Sequence, residues 1–349
     1  MLKVRKLGPI LEPTQLPFEN LAVLNPGVYQ DGENVHVFYR AIDKNHESCI
    51  GYARLKGPTE VVERWNKPII EREFDYEKNG VEDPRIVKID DAFYMTYVAH
   101  DGKNAVTAYA ASNDLKHFEK RGIITPQISY HEIKEIFANS QLKDAYRLYS
   151  SFYEEEAGRD VFLWEKDVTF FPEKIKGRYA LLHRTLPDIQ IAYFSDFSEL
   201  SSKAFWTSHF ENLAVFVVLE NKHWFETRHI GGGAPPIKIN DGWLLIFHAV
   251  EQTNYGRVYH ASAALLDYEN PLLVTGRLHE PLFSPTEEWE KSGFVSNVVF
   301  PTGTAIFGDN LYIYYGAADT HIAVAEVKIS ELVEELKKPA PHHATFGGH

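Results

Sequence analysis

A pair of extended, aromatic-rich segments joined by a polar turn recurs five times along the 349 residues, and few folds accommodate such a chain. The clearest copy is Gly80-Val-Glu-Asp-Pro-Arg-Ile-Val-Lys-Ile-Asp-Asp-Ala-Phe-Tyr-Met-Thr-Tyr-Val-Ala-His100, which turns at Asp90-Asp91. The others run from Asn25 to Ala41, Phe170 to Arg184, Gly233 to Ala249 and Val299 to Asp319. Aligned on Val35, Tyr94, Tyr179, Trp243 and Leu311, the copies lie about 60 to 85 residues apart. Each is followed by a third run of small and β-branched residues, as in Ala105 to Ser112 or His321 to Val327. Such runs, bounded by polar turns, read as antiparallel strands. A meander repeated five times closes radially and leaves only short edges. The expectation is an all-β fold, a five-bladed β-propeller spanning residues 1–338 as one domain. Fourth strands are expected at Pro68 to Ile70, Phe118 to Ile124 and Leu273 to Thr275.

Two segments break the repeat. In an insertion at about 127–160, Tyr130-His-Glu-Ile-Lys-Glu-Ile-Phe137 reads as a helix and Tyr149 to Gly158 as an acidic loop. Insertions of this length serve as lids or oligomer contacts, so a homo-oligomer stays open. Ser330-Glu-Leu-Val-Glu-Glu-Leu-Lys-Lys338 reads as a short C-terminal helix with Ser330 as its cap. Residues 339–349 are expected to form a flexible tail, whose His342, His343 and His349 show no metal-ligand spacing.

Composition narrows the function. Aromatics, at 13%, suit both strands and platforms on which sugar rings stack. A net charge of −13 without basic patches argues against nucleic acid as a partner. No apolar run is long enough for a signal peptide or a membrane span, so no membrane partner and a cytoplasmic location are expected. The single cysteine, Cys49, cannot form an internal disulfide and reads as a small strand residue rather than a nucleophile. Nothing calls for a metal or an organic cofactor.

In a radial fold, first strands converge on a central channel, so equivalent ends of the repeats meet although distant in sequence. Just past each second strand stand Arg40, His100 with Asp101, Arg184, His248, and Asp319. These differ in charge and kind, which points to a site. Glu82-Asp83-Pro84-Arg85 sets two carboxylates and a guanidinium at the entry to a first strand; alone, it reads equally as an acidic turn with a surface ion pair. Inverting glycoside cleavage needs an acid for the leaving oxygen and an activated nucleophile on the opposite face, roughly 6.5–9.5 Å away. Asp83 suits the acid. Across from it the candidates are Lys166, Arg184, Glu226, His229, His248 and Glu251. Cations there would hold phosphate as the nucleophile, whereas carboxylates would activate water. Gly231-Gly-Gly233 lacks the Gly-Lys-Ser/Thr ending of a phosphate-cradling loop and suits the close approach of a strand to the channel.

The ordered set Asn25-Pro26, Phe38-Tyr-Arg40, Val81-Glu-Asp-Pro-Arg-Ile86, Phe171-Pro-Glu-Lys174, His183-Arg184, Ile230-Gly-Gly-Gly-Ala-Pro-Pro236, Asn297-Val-Val-Phe-Pro301 and Tyr314-Tyr-Gly-Ala-Ala-Asp319 resembles glycoside hydrolase family 130. The resemblance covers about residues 20 to 330 and implies a five-bladed propeller that is a mannoside phosphorylase or a β-mannosidase. It implies inversion, with Asp83 as general acid passing its proton through a hydroxyl of the bound mannose. Asn25, Arg40, Arg85 and Asp319 match mannose contacts. Lys166, Arg184, His229 and His248 match the positions that hold phosphate in the phosphorylases. Position 229, usually Lys in those enzymes, is His here, and a largely neutral imidazole attracts a dianion less. Glu165, Glu226 and Glu251 lie nearby in sequence and would repel phosphate if they faced the pocket. The expectation is therefore an inverting β-mannosidase acting on β-1,2-linked mannoside oligosaccharides, with Glu226, then Glu251, as base. The alternative is a phosphorylase that takes inorganic phosphate as co-substrate and releases α-mannose 1-phosphate. A second alternative is a non-catalytic carbohydrate-binding propeller.

Overall fold

The computed structural model describes residues 2–339; the histidines at 342, 343 and 349 lie outside them. Strands pair in five antiparallel units. Unit I comprises Ala22–Asp31, Asn34–Ile42, Ser48–Lys56 and Glu60–Arg64, and unit II comprises Gly80–Ile89, Ala92–His100, Ala105–Ser112 and Glu119–Ile123. Unit III is built from Lys166–Phe170, Tyr179–Arg184, Ile189–Phe194 and Val217–Leu219. In unit IV, His229–Gly232 and Ile237–Ile239 share the first place beside Gly242–Thr253, Gly256–Leu266 and Val274–Arg277. Unit V sets Val299–Phe307, Asn310–Ala317 and His321–Lys328 against Arg5–Leu11 from the chain's other end.

Alternation along each strand places the core between units rather than inside one. In Asn34–Ile42, Val35, Val37 and Tyr39 pack with Tyr314 and Val324 of unit V, while the intervening Phe38 packs with Met95 and Tyr97 of unit II. The same holds between units II and III, III and IV, and IV and V. Both faces of a sheet are thus covered, which is why Trp243 to Val250 is buried without a break. The first strands also touch in succession. A Cβ on Gly27 would stand 2.6 Å from the Pro84 carbonyl oxygen, and one on Gly232 would stand 3.1 Å from that of Asp167. Arg85 donates to Asp167 at 2.9 Å, Gly233 abuts Pro301, and Gly303 abuts Pro26. Each first strand therefore meets the next, and the fifth meets the first.

The expected hairpins and third strands are all present, as are the fourth strands near Phe118 and Leu273. Pro68 to Ile70 is not one. Only Ile70 bridges to Ile50, and Glu60–Arg64 takes the ladder, consistent with a proline that has no N–H to give. Tyr149 to Gly158 is not a loop either. It belongs to a helix, because Tyr146 and Ser150 share a buried face one turn apart while the glutamates stay outside. The insertion carries helix α1 (Tyr130–Ala138), boxed by Ser129 and Glu132, and helix α2 (Asp144–Ala157). Both pack into the core between units II and III. Ser330 lies inside the last helix, Ile329–Leu336, and its hydroxyl donates to Asp309 at 2.6 Å instead of capping. Among the described residues no helix is long and apolar enough to cross a membrane, and no cluster of His, Cys, Asp and Glu is placed to hold a metal.

Candidate active site

Bulges in the first strands build the site. Register slips between Leu24 and Gly27, between Glu82 and Arg85, and between Lys166 and Thr169. The slips fall on Asn25, Asp83 and Asp167, whose φ values of 48°, 50° and 59° lie in the left-handed region. Asn and Asp tolerate that conformation best among residues with a Cβ, and a bulge re-aims its side chain. Asn297 and Asp319, also left-handed, join them from unit V. All five line one cavity of about 750 Å³, together with Arg40, Lys166, Arg184, His229 and His248.

One end of the cavity is acidic. Asn25 Nδ2 donates to Asp83 Oδ1 at 2.8 Å. Arg40 donates to Glu82 at 2.6 Å and stands 3.8 Å from Asp83 Oδ1. Burial alone would raise the Glu82 carboxyl, but Arg40, with Lys166 and His100, takes it below its ordinary value. Burial pushes the Asp319 carboxyl up to about 6, against the pull of Arg40 and with the help of Asp83 and Glu82. A carboxyl that gives up its proton only near pH 6 thus sits beside one that accepts an amide hydrogen bond.

The other end is cationic. Asp167 receives Arg85 at 2.9 Å and lies 3.1 Å from Arg184 Nε and 3.8 Å from His248 Nε2. Burial opposes its ionisation, yet the cations around it, Arg184 foremost with Arg85 and Lys166, hold it at about 2. Its charge is thereby committed to the two guanidiniums. Burial drives His248 down to about 3, so it is neutral. His229 Nε2 accepts from Arg184 at 3.0 Å; burial and the cations around it keep it well below the usual imidazole range. Lys166, Arg228 and Arg257 line the same cavity, and among the described residues none of the three has a carboxylate within ion-pair reach. Lys166 and Arg228 are half-buried and Arg257 is exposed; half-buried cations left without a carboxylate favour an anionic ligand.

Several expected residues lie elsewhere. Arg85 is 2% exposed and sits behind the wall, donating to the carbonyls of Gly232 and Gly233 as well as to Asp167. His100 accepts from the Gly102 amide and Asp101 ties a turn to Asn104, both away from the cavity. Glu226 is fully buried in a capped turn. Its Oε2 accepts from the amides of Lys222 and His223 at 2.7 and 2.9 Å, and its Oε1 takes Arg277 at 2.6 Å. Glu251 pairs with His260 at 3.3 Å, and Glu165 is buried against His183 at 2.8 Å. None of these three glutamates lines the cavity, which corrects the expectation that one of them faces it as a base.

Asp167, Arg228 and Arg257 escaped the sequence reading, as did the aromatic wall of Tyr130, Tyr153 and Trp164. For Asp167 a signal existed: Lys166-Asp167-Val168 occupies the same bulge as Asn25-Pro26 and Asp83-Pro84. For Arg257 there was none.

Residues 10–338 match the Glyco_hydro_130 family model, described as beta-1,4-mannooligosaccharide phosphorylase. A 1,2-beta-oligomannan phosphorylase of Thermoanaerobacter sp. (strain X514) is 33% identical over 345 residues, covering 95% of this chain and 99% of the relative. A beta-1,2-mannobiose phosphorylase of the same organism is 35% identical over 347 residues, covering 94% and 98%. Among solved structures, the beta-1,2-mannobiose phosphorylase of Listeria innocua in complex with beta-1,2-mannobiose superposes with a TM-score of 0.72 at 24% identity, covering 96% of this chain and 99% of that one.

Proposed function

This chain belongs to glycoside hydrolase family 130, and from that premise we propose that it is an inverting β-mannoside phosphorylase acting on β-1,2-linked mannosides. The observation that carries the proposal is the unpaired positive charge that lines the cavity along with Asp83. Lys166, Arg228 and Arg257 have no carboxylate partner there, and Glu165, Glu226 and Glu251, the groups that would activate water, are engaged elsewhere. The relatives named as phosphorylases of β-1,2-mannans support the same reading.

In this reading Asn25, Arg40 and Asp319 hold the mannose, and Asp83 delivers a proton to the leaving oxygen through a mannose hydroxyl. A phosphate oxygen bonds to the anomeric carbon from the opposite face as the glycosidic C–O bond breaks. The leaving sugar departs with the proton and the β-linkage becomes α-mannose 1-phosphate. Lys166 and Arg184 neutralise the phosphate, while the neutral rings of His229 and His248 can donate hydrogen bonds to it. The five units act as blades of a five-bladed propeller, one catalytic domain whose first strands ring the site. Water as the nucleophile, the expectation drawn from position 229 and the nearby glutamates, is the weaker reading because Glu165, Glu226 and Glu251 are engaged away from the cavity and Asp167, on its wall, is paired with Arg85 and Arg184.

The reverse reaction tests this. Given α-mannose 1-phosphate and mannose, the protein should release inorganic phosphate and form a β-1,2-linked disaccharide. Phosphate release without a disaccharide, or no reaction at all, would count against phosphorolysis.

A further inference from the structure

We infer that Arg228, fixed by α2 of the insertion, supplies the permanent charge that His229 lacks, which makes the insertion a positioning element of the anion subsite. The inference rests on the phosphorylase reading and adds a residue and a role to it.

Four observations converge. The Tyr149 hydroxyl donates to the Arg228 carbonyl, and Tyr153 OH accepts from Arg228 Nη2 at 3.3 Å. Tyr149 and Tyr153 are four residues apart on α2, so both project from one face toward the same arginine. The Tyr153 ring is itself held, stacked on Tyr130 at 5.7 Å and packed on Trp164 at 5.5 Å between centroids. The Arg228 amide donates to the Val250 carbonyl at 2.9 Å, so backbone and side chain are both tethered.

The guanidinium is otherwise unspent. Arg228 Nε is buried without a hydrogen-bond partner, no carboxylate stands within ion-pair reach among the described residues, and the residue lines the cavity. An arginine placed for structure alone would normally meet a carboxylate or several carbonyls. This one meets a single phenol on its side chain and keeps donors free, which suits a tetrahedral oxyanion. Arg228 directly precedes His229 in the chain, and its charge is among those that keep that imidazole unprotonated.

The test is steady-state kinetics of phosphorolysis for the full chain and for Arg228→Ala, Arg228→Lys and Tyr153→Phe, with phosphate and β-1,2-mannobiose varied separately. Loss of one charge-assisted contact corresponds to about tenfold. Arg228→Ala should therefore raise the KM for phosphate about tenfold, with the KM for mannobiose within about twofold. Arg228→Lys should recover part of that loss, and Tyr153→Phe should shift the phosphate KM in the same direction by a few-fold. If Arg228→Ala does not fold, Tyr153→Phe decides. An unchanged phosphate KM, or a rise confined to the KM for mannobiose, would overturn the inference while leaving phosphorolysis intact. A wild type with no phosphate-dependent turnover would overturn both.

Discussion

Asn25 donates its amide hydrogen to Asp83 Oδ1 at 2.8 Å, and the two residues occupy the same place in successive units: left-handed, in a bulge, immediately before a proline. The repeat thus supplies the proposed general acid and the amide that orients its carboxylate from one structural position used twice. Because the amide donates to a fixed oxygen, the other carboxylate oxygen is left to face the substrate.

Asp83→Asn keeps this shape and removes the proton. It should lower kcat by about 10²- to 10⁴-fold while leaving the melting temperature and mannoside affinity close to wild type. Asn25→Ala should cost far less, about tenfold, because the acid is mis-set rather than lost. Near-normal turnover by Asp83→Asn would remove Asp83 from the acid role.

Asp167 ties Arg85 to Arg184, and Arg85 has no exposure to solvent through which to recover. Asp167→Ala leaves that guanidinium buried without its carboxylate and should destabilise the fold by about 3–5 kcal/mol in denaturant titrations. Asp167→Asn should lose less stability, since the amide oxygen still accepts from Arg85.

Glu226 offers the sharpest contrast with hydrolysis. Engaged by two backbone amides and Arg277, it has no free oxygen for water. Glu226→Gln should lower stability by about 1–3 kcal/mol but keep activity per folded molecule within about twofold. A stable Glu226→Gln protein without turnover would restore it as a base.

Asp319 makes stability depend on pH in a definite sense. Its folded value of about 6 lies above that of the unfolded chain, about 4, so between those values the native state binds the proton more tightly. Stability from this group is therefore present at low pH and is lost as pH rises through that window, with no further change above it. Asp319→Asn should be flatter from pH 4 to 6 and more stable than wild type by roughly 1 kcal/mol at pH 7, a figure reduced for partial solvent screening. Thermal melts of both proteins across that range check it; parallel curves would show that Asp319 titrates normally.

The sequence disclosed the five hairpins because extended aromatic-rich runs and polar turns are local signals; it pointed to Arg40 and Asp319 by their matched columns past the second strands, and to Asp83 by the Glu-Asp-Pro-Arg entry to a first strand. It hid what depends on distant chain. Glu226 lies three residues from His229, yet a capped turn points it into Arg277, and nothing local reveals that direction. Arg228 and Arg257 reach the cavity only once α2 and the long hairpin of unit IV are in place. The acidic character of Tyr149 to Gly158 masked the helical spacing of its tyrosines, and with it the contacts to Arg228. Judging the cavity from position 229 and the nearby glutamates therefore undercounted its positive charge.

The most direct measurement follows β-1,2-mannobiose by ³¹P and ¹H NMR with and without inorganic phosphate. Phosphorolysis predicts α-mannose 1-phosphate and free mannose in equal amounts, only when phosphate is present. Two mannose molecules per disaccharide, formed at the same rate without phosphate, would contradict the account.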